Sequence, residues 1–176
     1  MFLQGILVGL LAVIVLALLM AAIMEKKYSL SASTLINRPK NEVFDYVKHL
    51  KNQENYSKWV MQDPNVRMTY TGVDGTIGFK SAWVSEDKNV GVGEQEITKI
   101  NDSNSYDVEI RFEKPFKGVS TAQTTTETVS ENQTKVTNTF YTTTPFPMNL
   151  MVPIIKKMLQ KDLELNMATL KKVLED

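Results

Sequence analysis

The sequence predicts an α+β domain in which a curved antiparallel sheet of about seven strands wraps a long C-terminal helix, with two short helices and an N-terminal transmembrane helix added. Three patterns carry this. Pro153 to Leu174 is the only long stretch beyond the N-terminus with sustained helical periodicity. Tyr28 to Thr144 reads mostly as strands separated by short turn signals. Phe2 to Met24 is apolar except for Gln4, and at about 1.5 Å per residue it covers the roughly 30 Å hydrocarbon core of a bilayer.

A chain of 176 residues holds one domain with a proper core once that apolar terminus is set aside, so residues 1–27 read as an anchor and 28–176 as the domain. A cleaved signal peptide, for which Ala21 and Ala22 would mark the cut, wants a basic start and a shorter apolar run than this one. Glu25, Lys26 and Lys27 follow the span and nothing basic precedes it, which by the positive-inside bias puts a single-pass protein's domain on the cytoplasmic side. Twenty basic and twenty acidic residues cancel, leaving no field to draw nucleic acid. Without cysteine there is no disulfide, thiolate nucleophile or thiolate metal site.

Taken in order, Tyr28, Leu30, Ala32, Thr34 and Ile36 alternate with mostly small polar residues as a first strand, which Asn37-Arg38-Pro39 stops. Lys40 to Leu50 places Val43, Phe44, Val47 and Leu50 at helical spacing, with Pro39 suited to a first turn. Asn52 to Trp59 predicts a second short helix, closed by Asp63-Pro64. Six strands follow: Val66 to Tyr70, Ile77 to Ser85, Val90 to Ile100, Tyr106 to Phe112, Val119 to Val129 and Lys135 to Thr142. Short turns such as Asp74-Gly75 and Glu131-Asn132 imply hairpins, hence an antiparallel meander. Thr142 to Pro147, stiffened by its prolines, leads into the last helix.

One apolar sheet face cannot stand exposed, and the final helix is the only candidate of suitable length to bury it. Its buried stripe includes Asp162, Asn166 and Thr169 among Ile155, Met158, Leu159, Leu170 and Val173. Such a helix either marks a solvent boundary or looks into a space that holds something polar.

The order of elements, together with Val43-Phe44-Asp45-Tyr46-Val47, Tyr56-Ser57-Lys58-Trp59, Tyr70-x-Gly72, Gly78, Trp83, Gly91-x-Gly93, Ile97 and Leu170-Lys171-Lys172, resembles the polyketide cyclase/dehydrase branch of the START-like (SRPBCC) superfamily. The resemblance implies a helix-grip fold whose cavity between sheet and long helix takes a lipid, sterol, polyketide or other hydrophobic molecule. On that reading Trp59, Trp83, Tyr106, Val108, Ile110, Phe112, Phe140 and Leu159 supply an apolar lining. Thr124, Thr126 and Asn138 stand where such sequences usually carry large apolar side chains; pointing inward, they and Asp162 would orient a polar head group. A register slip of one residue would turn those strand residues to solvent instead.

No reaction is written in the motifs. Gly72 to Lys80 and Gly91-x-Gly93 follow neither phosphate-loop nor dinucleotide patterns. His49 lacks a second histidine for a ligand set and a serine partner for a triad, so neither a metal site nor a cofactor is expected. The favoured expectation is a membrane-tethered binder of a hydrophobic or amphipathic molecule, such as a lipid. A cyclase- or dehydratase-type enzyme would need an inward ionisable group, with Glu94, Glu96 and Asp162 as candidates. An interaction or co-chaperone module would need a contiguous exposed apolar patch.

Overall fold

A computed structural model describes residues 2–176. Apolar Phe2–Ile23 forms helix α1, and β1 (Lys27–Ile36) starts three residues after Met24. Helix α2 (Lys40–Lys48), a 3-10 turn (Leu50–Asn55) and the single-turn α3 (Lys58–Met61) follow. Strands β2 (Arg67–Thr71), β3 (Lys80–Val84), β4 (Val92–Asn101), β5 (Ser105–Lys114), β6 (Gly118–Ser130) and β7 (Gln133–Thr143) then form a meander. A second 3-10 turn (Met148–Met151) leads into α4 (Val152–Glu175).

All pairings are antiparallel, in the order β1-β7-β6-β5-β4-β3-β2, with β7 returning beside β1. Register shifts at Val92/Gly93, Ile97/Lys99 and Thr128/Ser130 add bends to the sheet, as bulges do. At Gly91 the backbone itself requires the missing side chain: φ is +68°, and a Cβ there would meet the Lys114 carbonyl oxygen at 2.1 Å. Period-two burial sends Ile97, Val108, Ala122, Val136 and Phe140 inward, where they meet α2 and the C-terminal half of α4.

The single short helix expected over Asn52 to Trp59 is two pieces, broken at Tyr56-Ser57. Ser57 is extended (φ −83°, ψ 115°), which lets the Lys58 amide donate to Asn166 Oδ1 of α4 at 2.7 Å. The strand expected from Ile77 begins at Lys80, since Gly78 has φ +85°. Pairing nonetheless continues there through Gly78 N–H to the Ile97 carbonyl, 2.8 Å.

Buried residues of α4 concentrate from Asp162 to Leu170; between Pro153 and Lys161 none is fully buried. The helix is thus buried over its C-terminal half, while its N-terminal half runs along β1, where Gln160 Nε2 donates to the Ser31 carbonyl at 3.0 Å, and leaves a space over the strands farther across the sheet. That space is the cavity.

Candidate functional site

The cavity has a volume of about 470 Å³ and lies between α4, α3 with its preceding turn, and the inner face of β2 to β5 and β7. Its walls are mainly apolar. Trp83 and Phe112 make one wall edge to face, with ring centroids 6.0 Å apart and planes at 73°. Trp83 is held by its indole N–H, which donates to the Val90 carbonyl at 3.3 Å, and lies directly over Gly93. Met158 and Leu159 form the roof, and Met158 with Gln62 and Asn89 reaches solvent at the opening.

Polar groups interrupt this surface in two places. Gln95 is buried, and its amide donates to Gln53 Oε1 at 2.7 Å. Asp162, also buried, accepts from Lys58 Nζ at 2.5 Å through Oδ1 and from Trp59 Nε1 at 3.3 Å through Oδ2. Behind Gln53 the polar chain continues inward to Tyr106. Burial pushes the Tyr106 phenol above its ordinary value, partly offset by hydrogen bonds from Thr124, Tyr56 and Gln53. Burial raises the neighbouring Tyr56 phenol well above its ordinary value too, with Tyr106 adding to it.

Of the residues named from sequence, Trp59, Trp83, Ile110, Phe112, Phe140, Leu159 and Asp162 line this space. Tyr106 and Val108 face inward but belong to the packed core behind it. Thr124 and Asn138 bind each other, Asn138 Nδ2 donating to Thr124 Oγ1 at 2.8 Å. Thr126, also buried, donates to the Ser103 carbonyl at 3.0 Å across the β4–β5 turn. None of the three lines the cavity; their hydrogen bonds run to one another and to the β4–β5 turn.

Glu94 and Glu96 alternate with inward Gly93, Gln95 and Ile97, so they lie on the outer face. There they pair with Arg111 at 2.7 and 3.0 Å, and Lys80 and Glu109 complete the cluster. The Arg111 hydrogen bond holds the Glu96 carboxyl below its ordinary value. Neither carboxylate reaches the cavity. His49 donates through Nδ1 to the Asp45 carbonyl, 2.6 Å, and packs over Gly75, a structural setting.

Asp162 and Asn166, the polar members of the α4 stripe, dock α3 and the preceding turn; Thr169 bonds back to the Leu165 carbonyl. Gln53, Ser57 and Gln95 are lining residues that sequence reasoning missed. The signal for Gln95 was its place between Gly93 and Ile97 on an inward face; Gln53 and Ser57 carried none.

A search of curated proteins finds no match. Among solved structures, norcoclaurine synthase from Thalictrum flavum, in complex with dopamine and hydroxybenzaldehyde, superposes with a TM-score of 0.63 at 7% identity, over 87% of this chain and 88% of that one. A protein from Thermus thermophilus, TTHA0849, gives 0.60 at 18% identity, over 84% and 97%. A protein from Arthrobacter aurescens gives 0.57 at 18%, over 82% and 86%. At these identities the likeness is one of fold. The profile of the family described as polyketide cyclase / dehydrase and lipid transport matches residues 27–175. With the helix-grip architecture and a cavity under α4 already in view, a match running from the first strand to the end of the last helix means that this chain belongs to that family.

Proposed function

We propose that the chain is a membrane-anchored binding protein that takes one hydrophobic or amphipathic molecule, lipid-like in character, into the cavity beneath α4. The observation that carries this is the cavity itself: about 470 Å³, walled by Trp59, Trp83, Phe112 and Leu159, with a few convergent polar groups. Apolar walls favour an acyl or ring system. The Gln53–Gln95 pair and the Lys58–Asp162 ion pair offer both donors and acceptors to a polar end. α1 is long and apolar enough to cross a membrane, and its large side chains are exposed almost throughout, unlike those of a core helix. In this reading α1 holds the domain at a surface where a bilayer-soluble ligand is already concentrated, and Lys26 and Lys27 favour the cytoplasmic side.

The test is extraction of the full-length chain, purified in nanodiscs from its host membrane, followed by mass spectrometry of the bound fraction. A lipid-like molecule near one per chain, lost when Leu159→Trp fills the cavity, supports the reading. Equal lipid recovery from both proteins counts against it.

An acid–base enzyme reading has one remaining candidate, Asp162, since Glu94 and Glu96 face away. Its carboxylate is already shared between Lys58 and Trp59.

A further inference from the structure

The second 3-10 turn is packed on α1 rather than merely following it. Asn149, fully buried, donates through Nδ2 to the carbonyl of Ala21 at 2.6 Å and to that of Met24 at 3.2 Å. Ala21 is fully buried, and Ala17 and Met24, on the same side of the helix, are half-buried. Two more ties fix the junction: Thr144 N–H to the Lys26 carbonyl at 2.8 Å, and Lys156 Nζ to Glu25 at 2.6 Å. These contacts fasten the end of α1 to the segment that starts α4.

Ala17 lies roughly 9 Å inside the end of α1 at Ile23, at about 1.5 Å per residue. A turn packed against Ala17 and Ala21 is carried to the same depth as they are. The side chains that this region turns outward are Phe146, Met148, Met151, Ile154 and Met158, between 44% and 63% exposed. They form a contiguous apolar rim around the junction, with Lys26, Lys27, Lys157 and Lys161 exposed beside it. An apolar face that enters a bilayer about 5–10 Å deep with basic residues at its border is the pattern of an interfacial helix.

We infer that this rim, Phe146 to Met158, is embedded in the lipid leaflet into which α1 inserts, and that the cavity opens onto that leaflet. The inference rests on the anchor in the function proposed above. Met158 belongs to both the rim and the cavity roof. Met158 thereby brings the apolar rim to the edge of the cavity opening. Anionic lipid head groups are the complement to the lysine border. A bilayer is favoured over a protein partner because the rim is continuous with α1, whose exposed apolar surface needs the same solvent.

The chain has no cysteine, so single reporters can be introduced one at a time. Met151→Cys and Ile154→Cys probe the rim. Leu11→Cys, exposed within α1, marks the bilayer interior. Val129→Cys, exposed and beside the β6–β7 turn at the far end of the strands, marks solvent. Each full-length variant is labelled with bimane and reconstituted into vesicles of phosphatidylcholine and phosphatidylglycerol containing brominated acyl chains. The expected result is quenching at 151 and 154 several-fold above that at 129 and approaching that at 11. Quenching at 11 with 151 and 154 no different from 129 overturns the inference. No quenching at 11 overturns it together with the anchor. Protection of 151 and 154 from both brominated lipid and aqueous iodide would seat a second copy of the chain or another protein on the rim, and also overturns it. A cavity found empty on lipid extraction would overturn the binding reading alone and leave the quenching result standing. A loaded cavity with unquenched rim labels would overturn this inference alone.

Discussion

Trp83 lies so close over Gly93 on the neighbouring strand that a Cβ at Gly93 would stand 2.6 Å from Trp83 Cζ2 and 2.6 Å from the Arg111 carbonyl oxygen. One of these contacts is backbone within the sheet and cannot yield cheaply. Gly93→Ala is expected to cost about 1–3 kcal/mol, as overpacking does. It should also displace Trp83 from the cavity wall. Urea unfolding followed by intrinsic fluorescence checks both, and an unchanged midpoint with unchanged emission would refute the close approach.

Asp162 joins α4 to α3 through Lys58 and Trp59. Removing the carboxylate in Asp162→Ala leaves the indole N–H and a half-buried ammonium without their partner, an expected loss of about 1–3 kcal/mol. Asp162→Asn keeps the shape and an acceptor for Trp59, so it should cost less. Chemical denaturation of the two variants gives the ranking, and the reverse order would mean that the docking is not held by this group.

The framework was more legible in the sequence than the site. Alternation is a property of a strand by itself, and so Tyr106 to Phe112 and Tyr28 to Ile36 could be read directly; the stripe of α4 was read in part, since Leu163 and Met167, both buried, lie outside it and Met158, within it, is exposed. The break at Ser57 could not, because its cause is a hydrogen bond to Asn166, distant in sequence. Alternation also says which face a side chain is on without saying who else is there. Thr124, Asn138 and Thr126 face inward as their pattern implies, yet they do not line the cavity and bond to one another and to the β4–β5 turn. Asp162 and Asn166 stood out as polar residues in an apolar stripe; that they dock Lys58 and Trp59 was not visible from spacing.

Leu159 lines the cavity under the N-terminal half of α4, so a larger side chain there enters open space. Leu159→Trp is expected to change stability by under about 1 kcal/mol, less than overpacking a filled core. The same variant should lose most of any co-purifying lipid-like molecule. Thermal unfolding and lipid extraction on one preparation separate the two effects. A large fall in stability would mean that the space is tighter than its volume indicates.

Tyr56 and Tyr106 should resist ionisation. Burial raises both phenols in the folded protein above the ordinary value near 10, while the unfolded chain ionises them near that value. Because the folded state then holds protons that the unfolded state releases, stability is fully present below about pH 10 and falls as pH rises above it. Tyr106→Phe should flatten that alkaline loss while costing about 0.5–1.5 kcal/mol at neutral pH for the lost hydrogen bonds. Absorbance titration at the tyrosinate band and denaturation across the alkaline range provide the check. Early ionisation without unfolding would show that one of these phenols is reached by water.

The Asn149 clasp leaves no slack between α1 and the helix over the cavity. With Asn149 on the Ala21 and Met24 carbonyls and Lys156 on Glu25, the end of α1 and the first turns of α4 are fastened at one joint, so a load borne by either helix falls on the other as well.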